Sequence, residues 1–111
     1  MISSGGYRIG PGEIEDCLAG HPAVAVAAVV GSPDTTRGEV VKAFVQLREG
    51  VQATPELGRE LAVYVRTRLS AHEYPREIEF IRELPMTTTG KVRRRDLRDL
   101  EWQRQRGEGH A

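Results

Sequence analysis

The sequence has little of the material from which disulfide frameworks and membrane spans are built. It contains a single cysteine, Cys17, in 111 residues, which excludes an internal disulfide and a cysteine-ligated zinc site. No apolar stretch approaches the roughly 20 residues of a transmembrane helix. The apolar run over 23–30 is too short for a signal peptide and has no basic leader. We therefore expect no membrane span and a cytoplasmic location.

Net charge and aromatic side chains are also scarce. Sixteen Lys and Arg residues balance sixteen Asp and Glu residues, and aromatic residues make up 5% of the chain. A general nucleic-acid binder has a basic excess and aromatic side chains on which bases stack, so we expect no nucleic-acid partner. Residues 91–106 keep that alternative open, because they hold seven basic and three acidic residues. A solvated amphipathic helix accounts for the same run.

The remaining composition is that of an ordinary globular domain. Hydrophobic residues make up 39% and charged residues 29% of the chain, which excludes disorder as the main state, and the length suits one domain. The order of the periodic segments predicts a small α+β domain in which about three packed helices cover a mixed β-sheet. The predicted strands occupy 7–9, 24–30, 40–47 and 77–82, a turn occupies 31–34, and the predicted helices begin at Pro11, Pro55 and about Arg94.

The longest predicted helix has a clear start and a clear apolar face. Thr54 is a suitable N-cap, and Pro55 stands in the first helical position. At about 100° per residue, Arg66 lies about 180° from Leu57 and faces away from the core. The predicted buried stripe consists of Leu57, Leu61, Tyr64, Val65 and Leu69.

Two segments carry residue types suited to binding an anion. The run TTTGK over 87–91 combines hydroxyls, a glycine that lets the backbone bend and the flexible charge of Lys91. It is not a Walker phosphate loop, because Pro85 and Val92 stand where that motif needs glycine and Ser or Thr. The run SSGGYRIGP over 3–11 has two glycines beside an aromatic and an arginine. Taken alone, the first could be a polar loop with a solvated lysine and the second a hinge.

Together and in this order, these segments resemble the C-terminal domain of adenylate-forming enzymes. The sequence GGYRIGPGEIE resembles the segment that opens that domain, and LPMTTTGKVRR resembles the segment near its end that carries a catalytic lysine. Three shorter landmarks, HPAV, GSPD and YPR, lie between them. The resemblance covers roughly residues 2–100, and its landmarks occupy 5–15, 21–24, 31–34, 74–76 and 84–94.

The resemblance implies an acid–thiol ligase, an ATP-dependent acyl-CoA synthetase of the acetyl- or medium-chain type. Such enzymes activate a carboxylate with ATP, with magnesium, to an acyl-adenylate, and then transfer the acyl group to coenzyme A. Most of the active site belongs to an N-terminal adenylation domain, which would be the partner of this chain. The small C-terminal domain rotates between the two half-reactions. We therefore expect the isolated chain to be catalytically inactive.

The resemblance also implies roles for individual residues. Lys91 matches the catalytic lysine of adenylation, and Arg8 matches an arginine that faces nucleotide and substrate. Met86 departs from the family, which often has lysine there. No metal ligand is expected in this chain. The residues matched to the pantetheine tunnel are Gly5, Gly6 and Tyr7, and those matched to coenzyme A contacts are Arg37, Arg66, Tyr74, Pro75 and Arg76.

The resemblance also implies boundaries. Residues 1–6 are expected to form a loop after a hinge, 7–101 the folded domain and 102–111 a polar, frayed tail. A free-standing regulatory or interaction module derived from such a domain remains an alternative to an enzyme fragment. The SSGGYRIGP segment favours coenzyme A over a carrier protein as the thiol, and the acyl chain length cannot be predicted from these residues.

Overall fold

The computed structural model describes residues 2–4, 7–36, 38–69 and 73–108, and their side chains apart from those of 3, 4, 7–9 and 105–108. Within these residues the chain forms five strands and three helices, and the sheet contains both parallel and antiparallel pairs. The predicted α+β class is confirmed. In chain order the elements are β1 (Ile2–Ser4), β2 (Tyr7–Ile9), α1 (Pro11–Ala19), β3 (Val24–Asp34), β4 (Gly38–Leu47), α2 (Pro55–Arg68), β5 (Glu77–Phe80) and α3 (Arg94–Glu108).

Strand β4 is the centre of the sheet. It pairs antiparallel with β3 along its whole length, and on its other side it pairs antiparallel with β1 and parallel with β5. Strand β2 extends the sheet through β1. Because successive side chains of a strand point to opposite faces, β3 and β4 contribute to two cores.

The two cores lie on opposite faces of the sheet. Val29 of β3 and Ala43 of β4 belong to a cluster that α1 and α2 cover, whereas Val30 and Phe44 belong to a cluster that α3 covers. The first cluster consists of Ile2, Ile14, Leu18, Val24, Ala27, Val29, Val41, Ala43, Val45, Leu61 and Val65, and the second of Ala28, Val30, Phe44, Leu84 and Leu97.

Strand β3 pairs with β4 alone among the described strands, and side chains from two helices reach its other edge. The backbone N–H of Val29 donates to Glu15 of α1 at 2.8 Å. The indole Nε1–H of Trp102 on α3 donates to the carbonyl oxygen of Gly31 at 2.8 Å. Pro33, two residues further along, has no N–H to donate. Trp102 therefore packs the last helix onto the edge of the sheet.

Helix α2 begins as predicted. The Thr54 hydroxyl accepts a hydrogen bond from the Leu57 backbone N–H at 3.1 Å, and Pro55 is the first helical residue. Leu61 and Val65 are fully buried, while Arg66 is exposed on the opposite side. The helical periodicity thus identified both the buried face and the outward arginine.

Three segments differ from the prediction because tertiary contacts outweigh local sequence preferences. Residues 2–4, predicted as a loop, form β1, because Ile2 is buried and the segment pairs with β2. Residues 31–34, predicted as a turn, continue β3 by pairing with residues 38–41. Helix α3 runs to Glu108, so residues 102–108 of the expected frayed tail of 102–111 are helical, and Glu101 and Trp102 hold the helix to the sheet. No helix among the described residues has the length and apolar character needed to cross a bilayer.

Candidate functional site

Lys91 lies at the end of a short loop whose shape is fixed by its own hydrogen bonds. An antiparallel bridge between Met86 and Val92 closes the loop. Thr87 N–H donates to the Lys91 carbonyl at 2.7 Å, and Lys91 N–H donates to the Thr87 hydroxyl at 3.1 Å. Gly90 has φ of +83°, a conformation that side chains other than glycine rarely adopt. The segment predicted to suit an anion therefore forms a turn that is closed by its own hydrogen bonds and presents the lysine.

The Lys91 side chain points into solvent. It is exposed, and among the described residues its ammonium has no ion-pair partner and no side-chain hydrogen bond. The loop behind it is anchored, because Arg93 N–H donates to the Pro85 carbonyl at 2.8 Å. A cation held on a fixed backbone and still accessible can contact an anionic oxygen on another molecule or domain.

A carboxylate from α1 holds the start of α3, next to this loop. Glu15 accepts from Arg94 Nε at 2.9 Å and from Arg94 Nη2 at 2.6 Å, and it also accepts from the Val29 backbone. The hydrogen bonds that Arg94 donates to Glu15 raise the pKa of Arg94 against the opposing effect of burial. Glu15 and Arg94 are 79 residues apart in sequence. The pair joins α1, β3 and α3.

A buried charge network holds the middle of α3. Glu101 has no exposed surface; it accepts from Lys42 Nζ at 2.7 Å and from the Ser32 hydroxyl at 2.6 Å. Lys42 also donates to Glu79 at 3.0 Å, and Arg104 donates to Glu79 at 2.7 Å. Burial acts to lower the pKa of Lys42, but its hydrogen bonds to Glu101 and Glu79 outweigh burial and raise it. Every member has a charged or hydroxyl partner, which is the condition for burying such groups.

A second cationic site surrounds Tyr74. The guanidinium of Arg66 lies 5.6 Å and that of Arg76 lies 5.2 Å from the centre of the Tyr74 ring. Pro75 is buried, and the backbone N–H of Arg76 donates to the Val41 carbonyl at 2.9 Å, which attaches this segment to the sheet. We call Arg66, Tyr74 and Arg76 the arginine–tyrosine cluster.

A groove of about 470 Å³ lies between α2 and β5 and shares Arg76 with this cluster. Arg76 and Arg59 line it with positive charge, and Pro55, Gly58 and Phe80 give it an apolar floor. Mostly apolar grooves of this size with a few charged groups are common ligand sites.

The predicted site residues fall into two groups on opposite faces of the sheet. Tyr74 packs against the core that α1 and α2 cover, whereas Val92, next to Lys91, packs against the core that α3 covers. The structure therefore brings Arg66, Tyr74 and Arg76 together and keeps Lys91 apart from them. Gly5, Gly6 and Arg37 lie outside the described residues, and Tyr7 and Arg8 are described only as backbone of β2.

Sequence reasoning missed the contacts that orient α3. Glu15 could be placed in the first helix, but nothing in its local pattern indicated Arg94 as its partner. Lys42 offered a stronger signal, because a lone charge inside the otherwise apolar run over 40–45 needs a buried counter-charge. Among the described residues, no group of three or more His, Cys, Asp and Glu side chains could hold a metal ion.

Comparison with known proteins gives a consistent family. The family model for the AMP-binding enzyme C-terminal domain matches residues 13–91. The human mitochondrial acyl-coenzyme A synthetase ACSM2A is 52% identical over 104 residues, which is 92% of this chain and 18% of that protein. The rat mitochondrial acyl-coenzyme A synthetase ACSM4 is 50% identical over 106 residues, 94% of this chain and 18% of that protein. A crystal structure of Brucella canis acyl-CoA synthetase superimposes with a TM-score of 0.91 at 56% identity, covering 94% of this chain and 19% of that one.

These comparisons correct the expected location and show what share of its relatives the chain spans. The expectation of a cytoplasmic location is wrong, because the human and rat relatives are named as mitochondrial enzymes. The composition of a domain does not show in which compartment it works. The chain spans about a fifth of the length of the proteins that it matches.

Proposed function

The chain belongs to the AMP-binding enzyme C-terminal domain family, and on that basis we propose that it works as the mobile C-terminal domain of an acyl-CoA synthetase. The whole enzyme would activate a carboxylic acid with ATP, accompanied by magnesium, and then transfer the acyl group to coenzyme A. Its partner would be the N-terminal adenylation domain of the same enzyme. The isolated chain would carry out neither step.

The separation of the two cationic sites is the observation that carries this proposal. Val92, the neighbour of Lys91, packs on the α3 side of the sheet, and Tyr74 packs on the α1 and α2 side. A single static pocket cannot use both. A domain that rotates between two half-reactions can use each in turn, with Lys91 facing the nucleotide in the first and the arginine–tyrosine cluster facing coenzyme A in the second.

In the first half-reaction Lys91 would supply positive charge. Attack of a carboxylate on the α-phosphate of ATP brings two anions together and gathers negative charge on the phosphoryl oxygens. A cation that contacts both groups stabilises this arrangement and aligns the reactants. The hydrogen bonds within the loop support this role. Because they already order the backbone around Lys91, closure of the domains would require little further backbone ordering.

In the second half-reaction the arginine–tyrosine cluster would bind the phosphates and nucleotide of coenzyme A. Arg66 and Arg76 suit the phosphates, and the Tyr74 ring offers an aromatic face. The groove of about 470 Å³ has room for part of such a ligand. Gly5, Gly6 and Tyr7 would line the pantetheine tunnel, Arg8 would face the nucleotide and substrate, and Arg37 and Pro75 would complete the coenzyme A contacts.

The test is to separate the half-reactions in the synthetase that carries this domain. Lys91→Ala is expected to lower pyrophosphate release by about a hundred-fold or more, while thioester formation from preformed acyl-adenylate is largely retained. Arg48→Ala removes another exposed cation, at the end of β4, and serves as the matched control. Equal losses in both half-reactions for Lys91→Ala would contradict the proposed division of labour.

The ion pairs of α3 count against the nucleic-acid alternative. Arg94, Arg98 and Arg104 in the basic run are paired with Glu15, Glu39 and Glu79, so part of its charge is neutralised within the domain. A filter-binding assay at low salt would detect the alternative as tight, salt-sensitive binding. Restoration of pyrophosphate release when the chain is added to a separately prepared N-terminal domain would favour the enzyme fragment, whereas failure would leave the free-standing module as an alternative.

A further inference from the structure

Three hydrogen-bond donors converge on the carboxylate of Glu15. Its side chain is 16% exposed, and it accepts from the backbone of Val29 and from two nitrogens of Arg94. A two-pronged contact between guanidinium and carboxylate fixes both the distance and the orientation of the two groups. Glu15 therefore sets the position of Arg94 relative to the sheet.

Arg94 transmits that position to the Lys91 loop. It is the first residue of α3, three positions after Lys91. The intervening Arg93 is bonded through its backbone to Pro85, on the other side of the loop. The loop is thus held at its base by short backbone bonds, and this base is held to α1 and β3 by Glu15.

We propose that Glu15 is a positioning residue for adenylation, which acts through Arg94 to aim Lys91. The inference rests on the proposed role of Lys91. Glu15 lies on the sheet side of Arg94 and bonds only to Val29 and Arg94 in the described structure, so its effect on the reaction is indirect. Its loss should increase motion of the loop and leave the fold of the remaining domain in place.

The first experiment measures amide hydrogen exchange in the 111-residue chain. The variants are Glu15→Gln, Arg94→Gln and the double variant. Arg98→Gln is the control, because it removes an arginine one turn further along α3 that in the described structure makes only a single hydrogen bond of 3.3 Å, to Glu39. We expect about ten-fold faster exchange at the amides of Thr87 and Arg93 in Glu15→Gln. Central amides of β4 should be unchanged, and the double variant should be no faster than the single variants.

Three results of that experiment would overturn the inference. Unchanged exchange at Thr87 and Arg93 in both single variants would show that the pair does not hold the loop. A uniform rise across the chain, including β4, would show that Glu15 has only a structural role. Additive effects in the double variant would show that Glu15 does not act through Arg94.

The second experiment measures pyrophosphate release by the synthetase that carries this domain. Glu15→Gln is expected to lower kcat by about ten-fold with little change in KM for ATP. Arg94→Lys should retain more activity than Arg94→Gln, since lysine keeps the positive charge although it lacks the planar guanidinium that makes two parallel hydrogen bonds. An unchanged kcat in Glu15→Gln while Lys91→Ala is inactive would refute the positioning role. An active Lys91→Ala enzyme would instead refute the proposed function, and the exchange result would stand by itself.

Discussion

Lys42 of β4 and Glu101 of α3 form an ion pair at 2.7 Å in which the lysine side chain is 7% exposed and the glutamate side chain is not exposed at all. Burial of the pair is possible because Ser32 and Glu79 satisfy the remaining donors and acceptors. A network of this kind adds geometric specificity, since only one placement of α3 on the sheet completes it.

Removal of one partner should therefore be costly. We expect Lys42→Met to lower the free energy of unfolding by about 3–5 kcal/mol, because Glu101 would remain buried without its closest cation. Urea denaturation of the chain measures the change. The double variant Lys42→Met, Glu101→Leu should lose less than Lys42→Met alone. Arg59→Gln, which removes an exposed pair with Glu56, should cost about 1 kcal/mol or less; an equal effect from Lys42→Met would contradict the expectation.

The same network predicts how stability depends on acid. Hydrogen bonds from Arg104, opposed by burial and reinforced by Lys42, hold the pKa of Glu79 below its ordinary value of 4.5. A folded pKa below the unfolded one contributes stability that is fully present above pH 4.5 and is lost as the pH falls through the folded pKa. Urea denaturation at a series of pH values should show this loss. Glu79→Gln should flatten the dependence below pH 4.5, and a variant with the wild-type slope would refute the assignment.

The contribution of Lys42 to stability has the opposite dependence on pH. Because the pKa of Lys42 lies above its ordinary value of 10.5, its contribution is complete below that value and is lost only as the pH rises through the folded pKa. Lys42 and Glu79 are therefore both charged throughout the neutral range.

The arginine–tyrosine cluster predicts a change in coenzyme A affinity. Arg76→Gln should raise KM for coenzyme A by about five- to ten-fold and leave adenylation unchanged, because one phosphate contact is lost in the second half-reaction only. The effect should shrink as salt is added, since the guanidinium is exposed. Arg82→Gln, just beyond the other end of β5, provides the control. An effect of Arg76→Gln on ATP-dependent pyrophosphate release would contradict the proposed assignment.

A larger side chain at Gly6 should block thioester formation specifically. Gly6→Leu should stop thioester formation and spare pyrophosphate release, because any side chain at the proposed tunnel would obstruct the thiol. Gly10→Ala is the matched control, since a Cβ at Gly10 would have no atom within 4 Å and its φ of −83° suits any residue. Normal acyl-CoA production by Gly6→Leu would remove Gly6 from the tunnel.

The elements that could be predicted from sequence are those whose causes are local. The Thr54 cap, the proline that follows it and the outward position of Arg66 depend on residues within one helix. The strand at 2–4 could not be predicted, because three residues pair only when a sheet already exists beside them. The extension of β3 over 31–34 was hidden by glycine and proline, which usually mark turns.

The same distinction applies to the candidate site. The TTTGK loop is contiguous, so its residue types indicated an anion site before any fold was known. The contact between Glu15 and Arg94 and the pairing of Lys42 with Glu101 join residues far apart in sequence, and no local pattern specifies which carboxylate meets which cation. Residue types thus predicted the cations, whereas their buried counter-charges needed the three-dimensional structure.

The blocked edge of β3 has a consequence for the domain as a moving part. A free strand of eleven residues invites a neighbouring chain to add a strand of its own, which leads to fibre-like association. Here Glu15 occupies the outward N–H of Val29, Trp102 occupies the outward carbonyl of Gly31, and Pro33 has no donor. Addition of a strand is therefore disfavoured at these three positions of β3, which would suit the rotation that we propose for this domain within a larger enzyme.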